Sequence, residues 1–315
     1  MDNEKQNNNE ELNNNDQLHN KGAQETFEQH EYITYGRRFN SYRWYKPILV
    51  GVLTAIFAMV VVIGAIFASI ALGFLSDVKP LLLQTGYDNM DVSSVGGILL
   101  NLGGLAVFIP ALWLAAKIVR DRPFSSYSSS RGGWNWKLFG KCLLIAIVTV
   151  GIPAVISNLM EPGDGVNRLT VFTFLLLTVM GPLQCIAEEY LFRAFFLQTL
   201  GSWFKIPIVA IVVSAVIFAA GHPYSMAGVL SVLASGLIWG FTAKISRGLE
   251  ASSAAHIANN MATFYMMGFG MVNLTADVRV TDMIFSIAAD FLYLIVIIIL
   301  TRKTHWFDEE IGGNA

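Results

Sequence analysis

Charge is scarce in this sequence. Only 14% of its 315 residues are Asp, Glu, Lys or Arg, against about 25% in soluble domains. With 54% hydrophobic residues and a mean hydropathy of +0.52, the chain lacks the polar surface of a water-soluble globule and reads as a membrane protein. A net charge of −2 leaves no basic excess, which argues against nucleic acid as a partner. Cysteine is also rare: Cys142 and Cys185 both lie in apolar runs without metal or redox spacing. That excludes a disulfide framework and suggests buried, inert thiols. No charged n-region followed by an apolar h-region opens the sequence, so no cleavable signal peptide is visible.

What is present falls into alternating polar and apolar stretches. Residues 1–40 are rich in Asn, Gln and Glu, with asparagine runs at 7–9 and 13–15. Such a tail cannot bury enough apolar surface to offset its ordering entropy and is expected to be disordered. A collar of Arg37, Arg38, Arg43 and Lys46 interleaved with Tyr42, Trp44 and Tyr45 then introduces the first apolar run. Spans are predicted at 47–75, 95–118, 142–160, 169–200, 206–221, 226–245, 251–269 and 283–300. Apart from the fourth, each has roughly the length that crosses ~30 Å of hydrocarbon. The expected fold is an all-α, polytopic bundle of about eight transmembrane helices.

Basic residues alternate as a both-termini-inside arrangement requires. Lys117, Arg120, Arg122, Arg131, Lys137 and Lys141 flank spans two and three, Lys244 and Arg247 follow span six, and Arg302 and Lys303 follow span eight. The opposite loops hold mainly acids, with Lys79, Arg168 and Arg279 as their basic residues. This bias predicts cytoplasmic termini. The joint between spans four and five is weaker, offering only Lys205. In span four, Gly181-Pro182 predicts a kink. In span six, Gly236 and Gly240 have the spacing that lets helix backbones approach closely.

The organising stretch is Glu188-Glu189-Tyr190-Leu191-Phe192-Arg193 inside span four. An ionisable side chain in hydrocarbon costs ~2.5–3.5 kcal/mol on insertion scales, so this cluster needs partners. Candidates are His222, four residues after Phe218, and His256, four before Asn260. At 1.5 Å rise per residue, Glu188 and His222 lie ~22 and ~25 Å from the turn between their spans, at nearly equal depth. His256 and Asn260 share one helix face. Glu189 and Arg193 have ion-pair spacing, which leaves Glu188, ~100° around the helix, to face the histidines. A carboxylate in a dry pocket beside another carboxylate is suited to general-base work.

These three segments resemble the EExxxR, FxxxH and HxxxN motifs of the CAAX-protease and bacteriocin-processing (CPBP, or Abi) family of intramembrane proteases. Ala194 stands where that family commonly has glycine. The resemblance implies a catalytic core at 169–270, preceded by N-terminal transmembrane helices (41–168) and followed by a last helix and short tail (271–315). It implies peptide-bond hydrolysis at the membrane. On that resemblance Glu188 is expected to activate water with help from His222, while His256 and Asn260 are expected to hold the carbonyl and stabilise the oxyanion, with Glu189 and Arg193 supporting the site. The family's metalloprotease label implies an alternative in which Glu188, His222 and His256 bind zinc. With no HExxH in the sequence, and asparagine a poor zinc ligand, the metal-free reading is preferred. Expected partners are membrane lipid and a peptide or lipidated protein, prenylated or bacteriocin-like, and the expected location is a bacterial cell membrane. Rival readings are a non-catalytic scaffold or regulator of the same family, and a proton-coupled transporter, for which Asp290 is the other acid deep in a span and no inverted repeat is evident.

Overall fold

The computed structural model describes residues 31–71, 91–160, 163–273 and 278–308. Among these residues the chain is helical, apart from loops and one isolated bridge between Ser129 and Gly248. Its main helices are α1 (Lys46–Ala71), α2 (Val95–Val119), α3 (Trp136–Asn158), α4 (Val171–Phe204), α5 (Pro207–Ala220), α6 (Met226–Ile245), α7 (Glu250–Gly268) and α8 (Val280–Lys303). The protein is a multi-pass membrane bundle with an apolar exterior: Val60, Phe67 and Val171 are 61%, 67% and 80% exposed.

Among the described residues, eight main helices stand where eight spans were expected, and 6 of them are long and apolar enough to cross a membrane. The exceptions have different causes. α5 has 14 residues, ~21 Å of helix, because Pro207 starts it and the turn at Gly221 ends it. α7 has 19 residues but is rich in Ser, Asn and Ala. Its buried Glu250–Ala258 half is surrounded by other helices, so it needs no lipid-compatible face.

α4 is 34 residues long. Thr170 and Thr173 cap its start reciprocally: the Thr170 hydroxyl accepts from Thr173 N at 3.1 Å, and the Thr173 hydroxyl accepts from Thr170 N at 2.9 Å. The α-helix continues without interruption through Gly181 and Pro182, the site of the expected kink, to Glu189. The departure from α geometry comes instead at Tyr190–Phe196, which is π-helical. Such bulges rotate the following residues relative to a regular helix, and this one begins directly after the paired glutamates.

α5 packs on α6 through the glycine pair. A Cβ on Gly236 would sit 3.1 Å from the Ala215 Cβ, and one on Gly240 would sit 3.1 Å from the Ile211 Cγ2. Close packing is therefore what this spacing provides.

At the basic end of the bundle, the loop between α2 and α3 is folded inward. The Leu249 N–H donates to the Ser128 carbonyl at 2.9 Å, and the Ser130 N–H donates to the Arg247 carbonyl at 3.0 Å. Arg131 pairs with Glu250 at 2.7 Å, with both side chains 1% exposed or less. The other Glu250 oxygen accepts from Asn135 N at 2.9 Å. Tyr127 donates to Asp121 at 2.9 Å, and burial holds its phenol well above the usual range, so it stays protonated. Ser128 Oγ meets the Tyr190 hydroxyl at 2.5 Å, which ties the loop to the π-helical turn.

Residues 1–30 of the expected disordered tail lie outside the described residues. The final part of that stretch is packed: Tyr32 and Ile33 are 0% exposed. Tyr32 donates to the Tyr127 carbonyl at 2.7 Å, and Arg37 to the Ser202 carbonyl at 2.9 Å. The polar composition before residue 31 hid these two apolar anchors in the sequence.

Candidate active site

Four of the residues singled out by the sequence line one cavity of about 530 Å³. Glu188, His222, His256 and Asn260 all border it. Glu189 and Arg193 lie behind the wall at 0% and 1% exposure, whereas Glu188 is 8% exposed and reaches the cavity. The one-residue offset on α4 thus separates two chemically identical side chains into different environments.

Both nitrogens of His256 are engaged. Nδ1 stands 3.0 Å from Glu189 Oε1; a carboxylate there accepts the Nδ1–H and leaves Nε2 as the basic atom. Asn260 Nδ2 donates to that Nε2 at 3.2 Å, and Glu188 Oε2 lies 3.4 Å from it. An imidazole nitrogen and a carboxylate at that range form an acid–base pair able to share a proton. The expected intrahelical pair is present, with Arg193 Nη1 3.0 Å from Glu189 Oε1. Glu189 also orients His256, a connection that sequence spacing could not show.

His222 lies just beyond α5, in the turn capped by Gly221. Its Nδ1 is 2.8 Å from the Phe218 carbonyl. A carbonyl has no proton to give, so Nδ1 donates and Nε2 carries the lone pair. Glu188 and His256 are both within electrostatic reach of this ring. Phe218 separates the two imidazoles, with ring centroids 4.7 Å from His222 and 6.1 Å from His256.

Two supporting residues were not recognised as such from the sequence. Trp239 on α6 stacks on His256 with centroids 4.5 Å apart and planes at 30°. Its indole N–H donates to Asp290 Oδ1 at 3.0 Å, and Ser235 donates to Oδ2 at 2.6 Å. Asp290, noted earlier only as a second intramembrane acid, is therefore an anchor for the tryptophan. Arg193 lies against the same aromatic group, 4.2 Å from the Phe218 ring and 5.3 Å from the Trp239 ring. Cation–π attraction and Glu189 together compensate its desolvation. The acid deep in α8, Asp290, and the lone tryptophan in α6 were the available signals, but nothing in the sequence paired them.

The zinc arrangement implied by the resemblance does not fit these side chains. The ring nitrogens of His256 are taken by Glu189 and Asn260, and Nδ1 of His222 is taken by a carbonyl. Among the described residues no group of three His, Cys, Asp or Glu side chains could hold a metal ion.

Comparison with known proteins bears on the same segment. Residues 169–262 match the family model described as type II CAAX prenyl endopeptidase Rce1-like. An uncharacterised protein of Bacillus subtilis (strain 168), YyaK, is 26% identical over 165 residues, covering 49% of this chain and 55% of that protein. The chain thus spans about half the length of this curated relative. No solved structure matches. The matched segment holds Glu188, Glu189, Arg193, Phe218, His222, Trp239, His256 and Asn260, and over these residues the chain is similar to the CAAX prenyl endopeptidase family.

Proposed function

We propose that the protein is an intramembrane endopeptidase that hydrolyses a peptide bond of a membrane-associated polypeptide with a water activated by Glu188. The observation that carries this reading is the asymmetry of the glutamate pair. Glu189 is sealed and fixes His256, while Glu188 faces the cavity 3.4 Å from the His256 nitrogen that Asn260 also contacts. The match of residues 169–262 to the CAAX prenyl endopeptidase family model supports the reaction class.

In this mechanism Glu188 takes a proton from the attacking water, whose oxygen bonds to the scissile carbonyl carbon. His222 Nε2 helps to hold that water. The developing oxyanion is met by the Asn260 amide and by His256 when its Nε2 is protonated. Glu188 then delivers the proton to the leaving nitrogen as the C–N bond breaks, giving a carboxylate and an amine. Positioned donors of this kind are each worth ~2.7–4 kcal/mol, and general acid–base transfer contributes ~10²–10⁴-fold. The substrate is proposed to be a peptide or lipidated protein in a bacterial cell membrane, with both termini of the enzyme cytoplasmic.

The test is substrate trapping with Glu188→Gln in the full chain, followed by mass spectrometry of membrane fragments. Fragments should accumulate with wild type and fall by ~10²–10⁴-fold with the variant. Equal biological complementation by wild type, Glu188→Gln and His222→Ala would instead establish a scaffold role.

A further inference from the structure

We infer that the scissile segment enters the cavity from the face opposite the basic one, so that the substrate class is a polypeptide whose cleaved segment lies on the extracytoplasmic side. This deepens the endopeptidase reading and rests on it for the word substrate, while the direction of access rests on geometry alone.

Three observations converge. First, among the described residues the cavity lining runs to one end of the bundle, and we take that end as its mouth. It includes Ser157 and Asn158 at the end of α3, Tyr224 before α6, and Val278 and Asp282 at the start of α8, with Ser157 donating to Asp282 there at 2.7 Å. Second, the opposite approach is sealed. His256 sits ~9 Å from the start of α7 and ~18 Å from its end at 1.5 Å per residue, so the nearer surface is the basic one. Yet Glu250, Ala251, Ser252, Ser253, Ala254 and Ala255, which fill that shorter path, are all 0% exposed. Arg131 and the inward loop of α2 and α3 cover them from below.

Third, charge orients the two faces. On the sealed face Lys46, Arg120, Lys137, Lys244 and Lys303 stand at the ends of α1, α2, α3, α6 and α8. On the open face the basic residues among those described are Arg168 and Arg279. Each is paired with an aspartate: Asp164 at 2.5 Å and Asp282 at 2.7 Å. The excess of lysine and arginine marks the cytoplasmic side, so the mouth is extracytoplasmic. The lining suits an uncharged extended chain. Asn101, Gln184, Asn259, Asn260 and Thr263 present amides and a hydroxyl, groups that can pair with peptide N–H and C=O in either direction.

Cysteine accessibility tests this without requiring proteolysis. Ser231→Cys and Ser286→Cys place thiols in the cavity wall away from the proposed chemistry, and Lys137→Cys places one on the sealed face. Wild type, whose Cys142 and Cys185 are buried, provides the blank. A membrane-impermeant maleimide should label the two cavity variants in intact bacterial cells and not in inverted vesicles, with Lys137→Cys behaving oppositely. Labelling of the cavity variants from inverted vesicles overturns the inference. So does reaction only with a lipid-soluble maleimide, which would mean lateral entry from the bilayer, or no reaction even in detergent. Should the labelling pattern hold while wild type yields no fragments in the trapping experiment, the access route stands and the endopeptidase reading fails.

Discussion

His256 is held by Glu189 at one nitrogen and by Asn260 at the other, under the face of Trp239. That enclosure leaves the imidazole one orientation and one neutral tautomer. If the Asn260 amide meets the oxyanion, Asn260→Ala lowers kcat by ~10²–10³-fold with little change in KM, as measured on a reconstituted substrate. Trp239→Phe keeps an aromatic face on His256 but leaves Asp290 Oδ1 without its donor, at a cost of ~1–3 kcal/mol. A lower Tm in detergent is expected, together with a reduced kcat well below the melting temperature. A Tm change with kcat intact would assign Trp239 to packing alone. Glu188, Glu189, Arg193, His222, His256 and Asn260 were all legible in the sequence, because charged and imidazole side chains stand out against an apolar background. Trp239 and Asp290 were not paired there, since their contact joins α6 to α8 across 51 positions and has no sequence period.

At the scale of elements, α5 is the least autonomous part of the site. Its 14 residues are too few to cross the bilayer, and its position depends on α6 and on the end of α4. Gly236 is the closest point: a Cβ there meets Ala215 Cα at 3.2 Å as well as its Cβ. Gly236→Leu should push α5 away, carrying Phe218 and His222 with it, at an overpacking cost of ~1–3 kcal/mol. Activity should then be lost in protein that still extracts as a monodisperse species, with Gly236→Ala intermediate in both activity and Tm. The glycine spacing was readable from sequence as close packing. The π-helical turn after Glu189 was not, because it answers to tertiary contacts: Tyr190 meets Ser128 and stacks on Phe124 with centroids 5.1 Å apart.

For the whole molecule, the seal on the basic face carries a separable energetic signature. Arg131 and Glu250 are both fully enclosed. Arg131→Ala leaves an uncompensated buried carboxylate and should cost ~3–5 kcal/mol, seen as a lower Tm. Arg131→Met combined with Glu250→Leu should recover part of that loss, since no buried charge remains. Recovery with Arg131→Ala alone would mean that water reaches Glu250 and that the face is open.

The sequence alone determined the membrane class, the approximate placement of the helices and the identity of the polar groups, because lipid imposes length and apolarity on every element that faces it. Apolar periodicity and charge are local quantities, so they can be read one segment at a time. What grips His256, what anchors Trp239 and which end of the bundle is closed were decided by tertiary structure. Each depends on side chains from two or more helices meeting at one depth, and their mutual distances are set by packing that no single segment contains.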